Sequence, residues 1–469
     1  MRNLLQPVNR LLPETLTRIA RLMDEDAIDT RSIIPLTHVC RYWRESIVST
    51  PGNWTLVSSE RFGLAGLSLE RCRAVPLELW LDMTQVGANP EFSATITPHI
   101  QNIGTLRINC ISTIEELAQT FPDFPRSMPN LRSFSFSPSL LRPNQDWSTD
   151  PFEASTPALT HLSLAFVPLY PSLLRLTTLT DLTIRNHRFD IHLDTFLDFL
   201  EGNRALERAT LDIWFKPPSL QNPRGRDPIA NNLQTLSISS ADAAGGGALI
   251  SRIALQSGTT LEVSCDGGAR SREFLSAALV GHLPHLQSPT FMEYHSDERQ
   301  VRLLGPDGTF SLACVSGREK AFAEFPLLHL TSVRGFRFVR RPLALNLGDT
   351  PDRLARITFP PSSLPALETL AIEREVHTPK LFTALFSDPS ASPLLKTVAF
   401  MDCELDDGFL GALTQYASNR KNTPSTPLYC VVIVNSKGTL PGVALIDALG
   451  EHVPVVDIRI GKKLPTDLI

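Results

Sequence analysis

The sequence predicts an α/β chain in which a short helical segment leads into a long stack of strand-plus-return repeats on parallel strands. Three observations carry this. The segments GTLRINC (104–110), PNLRSFSFS (129–137), PALTHLSLAF (157–166), TTLTDLTIRNH (177–187), RALERATLDIWF (204–215), NNLQTLSIS (231–239), PALETLAIE (365–373) and PLLKTVAFMDC (393–403) are variants of one pattern. Their leading leucines keep a period: Leu131, Leu159, Leu179, Leu206 and Leu233 are separated by 28, 20, 27 and 27 residues, and Leu367 and Leu395 by 28. Within each segment an apolar residue is followed three later by another and then by alternation, the period-2 signature of a strand. A unit of this kind cannot bury its apolar face alone; stacking on neighbours is what buries it.

The helical segment spans residues 12–54. Leu12, Leu16, Ile19 and Met23 recur at helical steps, and Pro13 suits the first helical position, where its missing N–H is not needed. Leu36, Val39, Cys40, Trp43 and Ile47 predict a second, longer helix starting after Pro35, with Arg41, Arg44 and Glu45 turned outward. Ser49 and Thr50 before Pro51 mark its end. So small a unit has too much surface to bury this many apolar groups by itself, so part of the stripe predicts a partner.

Residues 56–100 read as a connector, with a helix over Phe62–Cys72 and an alternating strand over Pro76–Asp82. Residues 101–469 form the repeat array. Return helices are expected over Leu193–Leu200, Arg272–Leu283, Lys380–Phe386 and Gly408–Ala417, and a turn at Gly245–Gly247 into a helix over Ala248–Leu255. Residues 290–318 break the pattern: two alternating runs flank Gly-Pro-Asp-Gly, predicting a β-hairpin inserted between repeats and projecting from them. Tyr429–Val434, a helix over Val443–Leu449 and Val455–Ile460 are expected to close the array.

The net charge of −5 gives no basic footprint of a nucleic-acid binder. The absence of an 18-residue apolar run and of a basic-then-apolar leader argues against a membrane span or secretion. Seven widely spaced cysteines without a C-x-x-C pair fit reduced thiols of a cytoplasmic or nuclear protein. Gly245–Gly247 lack the Lys-Ser/Thr ending of a phosphate loop. The run Asp402–Gly408 places Leu413 where a calcium loop needs a carboxylate. His282 and His285 lack partners at metal-ligand spacing. The chain is therefore expected to carry no catalytic residues, metal or cofactor, and not to be an enzyme. Side chains between the buried positions of each strand should face solvent, so Arg107, His161, Asp181, Arg185, Asp212, Trp214 and Glu373 are the candidate target-binding residues.

The Leu-Pro-Glu opening, the Val-Cys-Arg-x-Trp-Arg core and the Ser-Thr-Pro-x-x-Trp close of residues 8–55 resemble the F-box of large fungal families, and the repeats resemble leucine-rich repeats. The link Asp24–Ser32 is longer and more acidic than the family's short turn. The resemblance implies a substrate-recognition subunit of an SCF-type cullin-RING ubiquitin ligase, docking on a Skp-family adaptor while the repeats hold a target protein. Carried over by position, Leu12, Pro13, Leu16, Ile19, Ile34, Leu36, Val39, Cys40, Trp43, Ile47, Pro51 and Trp54 divide between the F-box interior and the adaptor surface. The alternative is a non-catalytic repeat scaffold acting outside ubiquitination.

Overall fold

The architecture is that of a computed structural model, which describes residues 11–25, 33–88, 90–109, 128–137, 159–166, 172–216, 229–230, 232–240, 243–256, 258–265, 289–295, 300–306, 308–314, 330–339, 364–373, 392–405, 407–422, 426–434, 437–438 and 442–459. It is mixed α/β with mostly parallel strands. The chain forms two compact units, one of residues 1–191 and 198–206, the other of residues 192–197 and 207–469.

In the first unit, helices α1 (Pro13–Glu25), α2 (Ile33–Thr37) and α3 (Arg41–Ser49) precede strands β1 (Leu56–Ser58), β2 (Leu77–Asp82), β3 (Ile103–Asn109), β4 (Ser133–Ser137), β5 (His161–Ala165) and β6 (Asp181–His192). Helix α4 (Phe62–Cys72) follows β1, and α5 (Met83–Ala88) and α6 (Pro90–Ile96) follow β2. The strands pair in parallel in chain order from β1 to β6. The single long helix expected after Pro35 is instead two. Cys40 is extended (φ −160°, ψ 173°) and splits α2 from α3. Pro35 lies in the first turn of α2, where no N–H is required. Helix α3 stops where expected, since Thr50 must be extended before Pro51.

Strand entry explains the leucine period. Leu131, Leu159 and Leu179 are wholly buried two residues before their strands. The carbonyls that follow Leu131 and Leu159 each accept two consecutive N–H groups of the next repeat. Arg132 O takes Thr160 N and His161 N at 2.8 and 3.0 Å, and Thr160 O takes Thr180 N and Asp181 N at the same distances. This shared acceptor sets the register, so that Phe134, Leu162 and Leu182 stack on one side of the sheet and Ser133, His161 and Asp181 on the other. Gly104 is needed where it sits, because a Cβ there would lie 2.9 Å from Pro76 Cβ.

The second unit contains β7 (Arg208–Lys216), β8 (Thr235–Ser240), β9 (Thr260–Cys265), β10 (Phe291–His295), β11 (Gln300–Gly305), β12 (Gly308–Cys314), β13 (Gly335–Val339), β14 (Thr369–Glu373), β15 (Thr397–Met401), β16 (Cys430–Val434) and β17 (Val455–Arg459). The expected return helix after β6 is α7 (Leu193–Gly202), whose residues divide between the two units. The second unit also holds α8 (Ala243–Ile250), α9 (Asp407–Lys421), which covers the helix expected over Gly408–Ala417, and α10 (Gly442–Gly450). The expected helices over Arg272–Leu283 and Lys380–Phe386 lie outside the described residues. The closing strands and α10 form as expected, β17 pairing in parallel with β16.

Two expectations fail here. Gly245–Gly247 are not a turn: they are buried inside α8, which packs against β7 and β8. Three glycines inside a helix come at some cost in helix propensity. Nor does the hairpin project. Strands β11 and β12 pair around Gly308, whose φ of +122° suits only glycine, but β12 also pairs in parallel with β9 and β11 antiparallel with β10. Its apolar positions Val301, Leu303 and Phe310 are buried with the repeat core. An alternating run hydrogen-bonded on both sides is a sheet strand, and the sequence pattern alone does not distinguish the two cases.

Candidate functional site

Two surfaces can be built from the residues upward, both in the first unit. The helical one follows from how its apolar stripe is divided. Leu16, Ile33, Leu36, Trp43 and Ile47 form a buried cluster, with Leu11, Cys40 and Tyr42 packed against it. Trp43 is 6% exposed, so it is an internal residue. Trp54 is also buried, its Nε1 donating to Ile47 O at 3.1 Å and its ring lying 4.4 Å beneath the Arg71 guanidinium. Ile19, Ile34, Cys40 and Pro51 are half-buried. Leu12 and Val39, by contrast, are 66% and 50% exposed, and Pro13 is exposed beside Leu12. Tyr42 Oη donates to Leu11 O at 2.7 Å and ties the start of α1 to the start of α3. Leu12 and Val39 lie one and three residues along the chain from the two ends of that bond. Beside them Arg41 and Glu45 pair at 2.6 Å, and this partner raises the Arg41 pKa further.

The second surface is the sheet face opposite the core in β2–β6. Its register aligns Trp80, Arg107, Ser135, Ser163 and Thr183 in one row and Ser133, His161 and Asp181 in the next. The Arg107 guanidinium stacks 4.6 Å over the Trp80 ring. Trp80 carries no mark of this role except its place in an alternating strand, and sequence reasoning passed over it. His161 Nε2 lies 3.1 Å from Asp181 Oδ2, while its Nδ1 lies 2.8 Å from Thr160 Oγ1. Thr180 Oγ1 adds a 2.9 Å bond to the same Asp181 oxygen. A serine, a histidine and an aspartate in one row invite a hydrolase reading. The geometry speaks against it, because both ring nitrogens are committed elsewhere and neither reaches toward Ser133 as a base must.

The remaining candidates fall in the second unit. Asp212 is half-buried on β7 opposite Ser239, and Trp214 lies on the same strand with its side chain outside the described residues. Glu373 overturns its expectation: it is 8% exposed, not solvent-facing. It pairs with Arg337, which also holds Glu293 at 3.2 Å. The neighbouring positions on that face, Ala371, Ala399, Met401, Val432 and Val434, are buried as a second apolar cluster. The signal was present in the sequence. TLAIE, TVAFM and CVVIV run nearly continuously apolar, which is how a strand covered on both faces reads.

Cys403 is wholly buried just after β15, its Sγ 3.3 Å from both Ile372 O and Met401 O. Burial raises the pKa of the Cys72 and Cys430 thiols. The largest missed residue is Arg420, which is wholly buried on α9. Its guanidinium donates to Ser392 O, Pro393 O, Leu395 O and Thr426 O, and to Tyr416 Oη at 3.2 Å. Tyr416 in turn is pushed up to about 12 by burial. Nothing in sequence separates this arginine from a solvated one at the end of a helix.

No helix among the described residues is long and apolar enough to cross a membrane. No protein-family model matches the chain, and no curated protein matches it. Among solved structures it resembles a Bacteroides fragilis protein at 10% identity, covering 79% of this chain and 69% of that one, with a TM-score of 0.23. At that degree of overlap the architecture rests on the chain's own strands.

Proposed function

We propose that the chain is a non-catalytic substrate-recognition subunit of a cullin-RING ubiquitin ligase. Its N-terminal helices dock on a Skp-family adaptor, and the polar sheet face of the first unit holds the target. The observation that supports this most is the division of the helical stripe. The helices bury Leu16, Ile33, Leu36, Trp43 and Ile47 in a core of their own, yet leave Leu12, Pro13 and Val39 in solvent. Those three belong to the motifs that resemble an F-box, and large apolar groups grouped on a surface favour a protein partner. The mechanism is positional: tethering a target raises the local concentration of its lysines near the ligase, and the chain needs no nucleophile.

The test is capture of a purified Skp-family adaptor and a cullin by the full chain. Leu12→Asp with Val39→Asp should abolish capture while leaving the circular dichroism unchanged. Trp43→Ala should lose capture only by unfolding the helices. Adaptor capture without cullin would favour the scaffold reading, and no adaptor capture by the wild-type chain would sink both.

A further inference from the structure

The sheet face of the first unit has a definite charge logic. Arg107 and Arg185 are exposed on it, and among the described residues neither guanidinium meets a carboxylate. The acidic groups nearby are engaged or marginal. Asp181 is held by His161 and Thr180, and Asp82 accepts from Thr84 N and Oγ1 at 2.9 and 2.6 Å. Glu78 lies one row away, beside Thr105. Between the arginines the face presents hydroxyls, Ser135, Ser163 and Thr183. A stacked guanidinium with unfilled donors is pre-oriented, because Trp80 fixes its plane and leaves its N–H edge to the ligand.

We propose that this face binds an extended acidic segment of the target, with Arg107 and Arg185 each receiving one anionic side chain. The proposal rests on the reading of this face as the target-binding surface. Three strand spacings of about 4.8 Å and a two-residue step of about 7 Å put the two arginine Cα atoms roughly 16 Å apart. An extended chain covers that span in about five residues. The two anionic groups of the target therefore lie about five residues apart, and Ser135, Ser163 and Thr183 bond the peptide between them. Glutamate carboxylates and phosphoserines share the required chemistry.

Fluorescence anisotropy with the full-length chain tests this. The probes are labelled Ser/Gly peptides carrying two glutamates about five residues apart, the same peptide with two phosphoserines, and a glutamine control. The glutamate or phosphoserine peptide, or both, should bind, the tighter naming the anion; the glutamine control should not. Arg107→Ala or Arg185→Ala should weaken binding about tenfold or more, the loss of one charge-assisted contact. Arg107→Lys should recover only part, and Trp80→Leu should cost about threefold through the lost stack. The proposal is overturned if neither anionic peptide binds, if the glutamine peptide binds as well, or if the double arginine variant binds like wild type. Tighter binding of a single-stranded oligonucleotide than of either peptide would overturn it too. Adaptor capture by the same variants is a separate readout. If it persists while the peptides fail, this inference falls alone; if peptides bind and the adaptor does not, the ligase reading falls.

Discussion

The same position in the repeat does opposite things in two regions of this molecule. On β3–β6 residues such as Arg107, Ser135, His161, Asp181 and Thr183 lie opposite the core, exposed or half-exposed to solvent. On β14–β16 the equivalent residues are Ala371, Ala399, Met401, Val432 and Val434, and they are buried. The charges differ likewise. Arg107 stacks on an aromatic ring and keeps its donors open, whereas Arg337 is locked between Glu293 and Glu373. A strand that must be covered on both faces spends its alternate positions on packing; a strand covered on one face can spend them on recognition.

This contrast can be broken or sharpened by substitution, and the largest effect is expected at Arg420. Arg420→Met strands the carbonyls of Ser392, Pro393, Leu395 and Thr426 in the interior and should cost about 3–5 kcal/mol in urea unfolding. Arg337→Ala leaves two carboxylates with little solvent and should cost about 3 kcal/mol. Replacing Glu293, Arg337 and Glu373 together with apolar residues should cost less than Arg337→Ala alone, since no uncompensated charge then remains. If the triple variant is the worse, the region depends on its ions and not on its packing.

Alkaline unfolding probes the same unit. A free tyrosine ionises near pH 10, whereas Tyr416 is held at about 12. The unfolded chain therefore loses its proton first, and the stability Tyr416 contributes is intact below pH 10 and lost as pH rises toward 12. The loss should reach about 2–3 kcal/mol and be missing from Tyr416→Phe in pH-dependent denaturation. The smallest effect belongs to the polar face. Arg107→Ala and Arg185→Ala should each change unfolding free energy by no more than about 0.5 kcal/mol. A large loss at either would mean that the first unit, too, uses this face to hold itself together.

Much of this was legible in the chain. The leading leucines, the alternation after them and the closing strands announced the parallel ladder, because a period-2 pattern must be satisfied locally whatever lies around it. What sequence could not divide was the helical stripe. Trp43 and Val39 share one apolar run, but Cys40 turns extended between them and sends one inward and the other out. Arg420 was hidden for a related reason: a charged residue is buried only when distant backbone or an opposite charge receives it, and neither appears in linear order. The burial around Glu373, by contrast, was readable in the near-continuous apolar runs of its strand and its neighbours. Glycine misled in the other direction, since Gly245–Gly247 lie buried inside a helix and do not turn the chain.

The pairing of β11 with β10 and of β12 with β9 has a consequence for how the second unit assembles. Strands β9 and β10 follow one another in the chain but are not neighbours; β12 and β11 lie between them. The antiparallel strands β10, β11 and β12 join β9 through β12, the last of the three, unlike the first unit, where each strand pairs with the one before it. A cut in the chain between β11 and β12 would therefore not trim a protruding arm; it would fall between two strands that each have a further partner in the sheet.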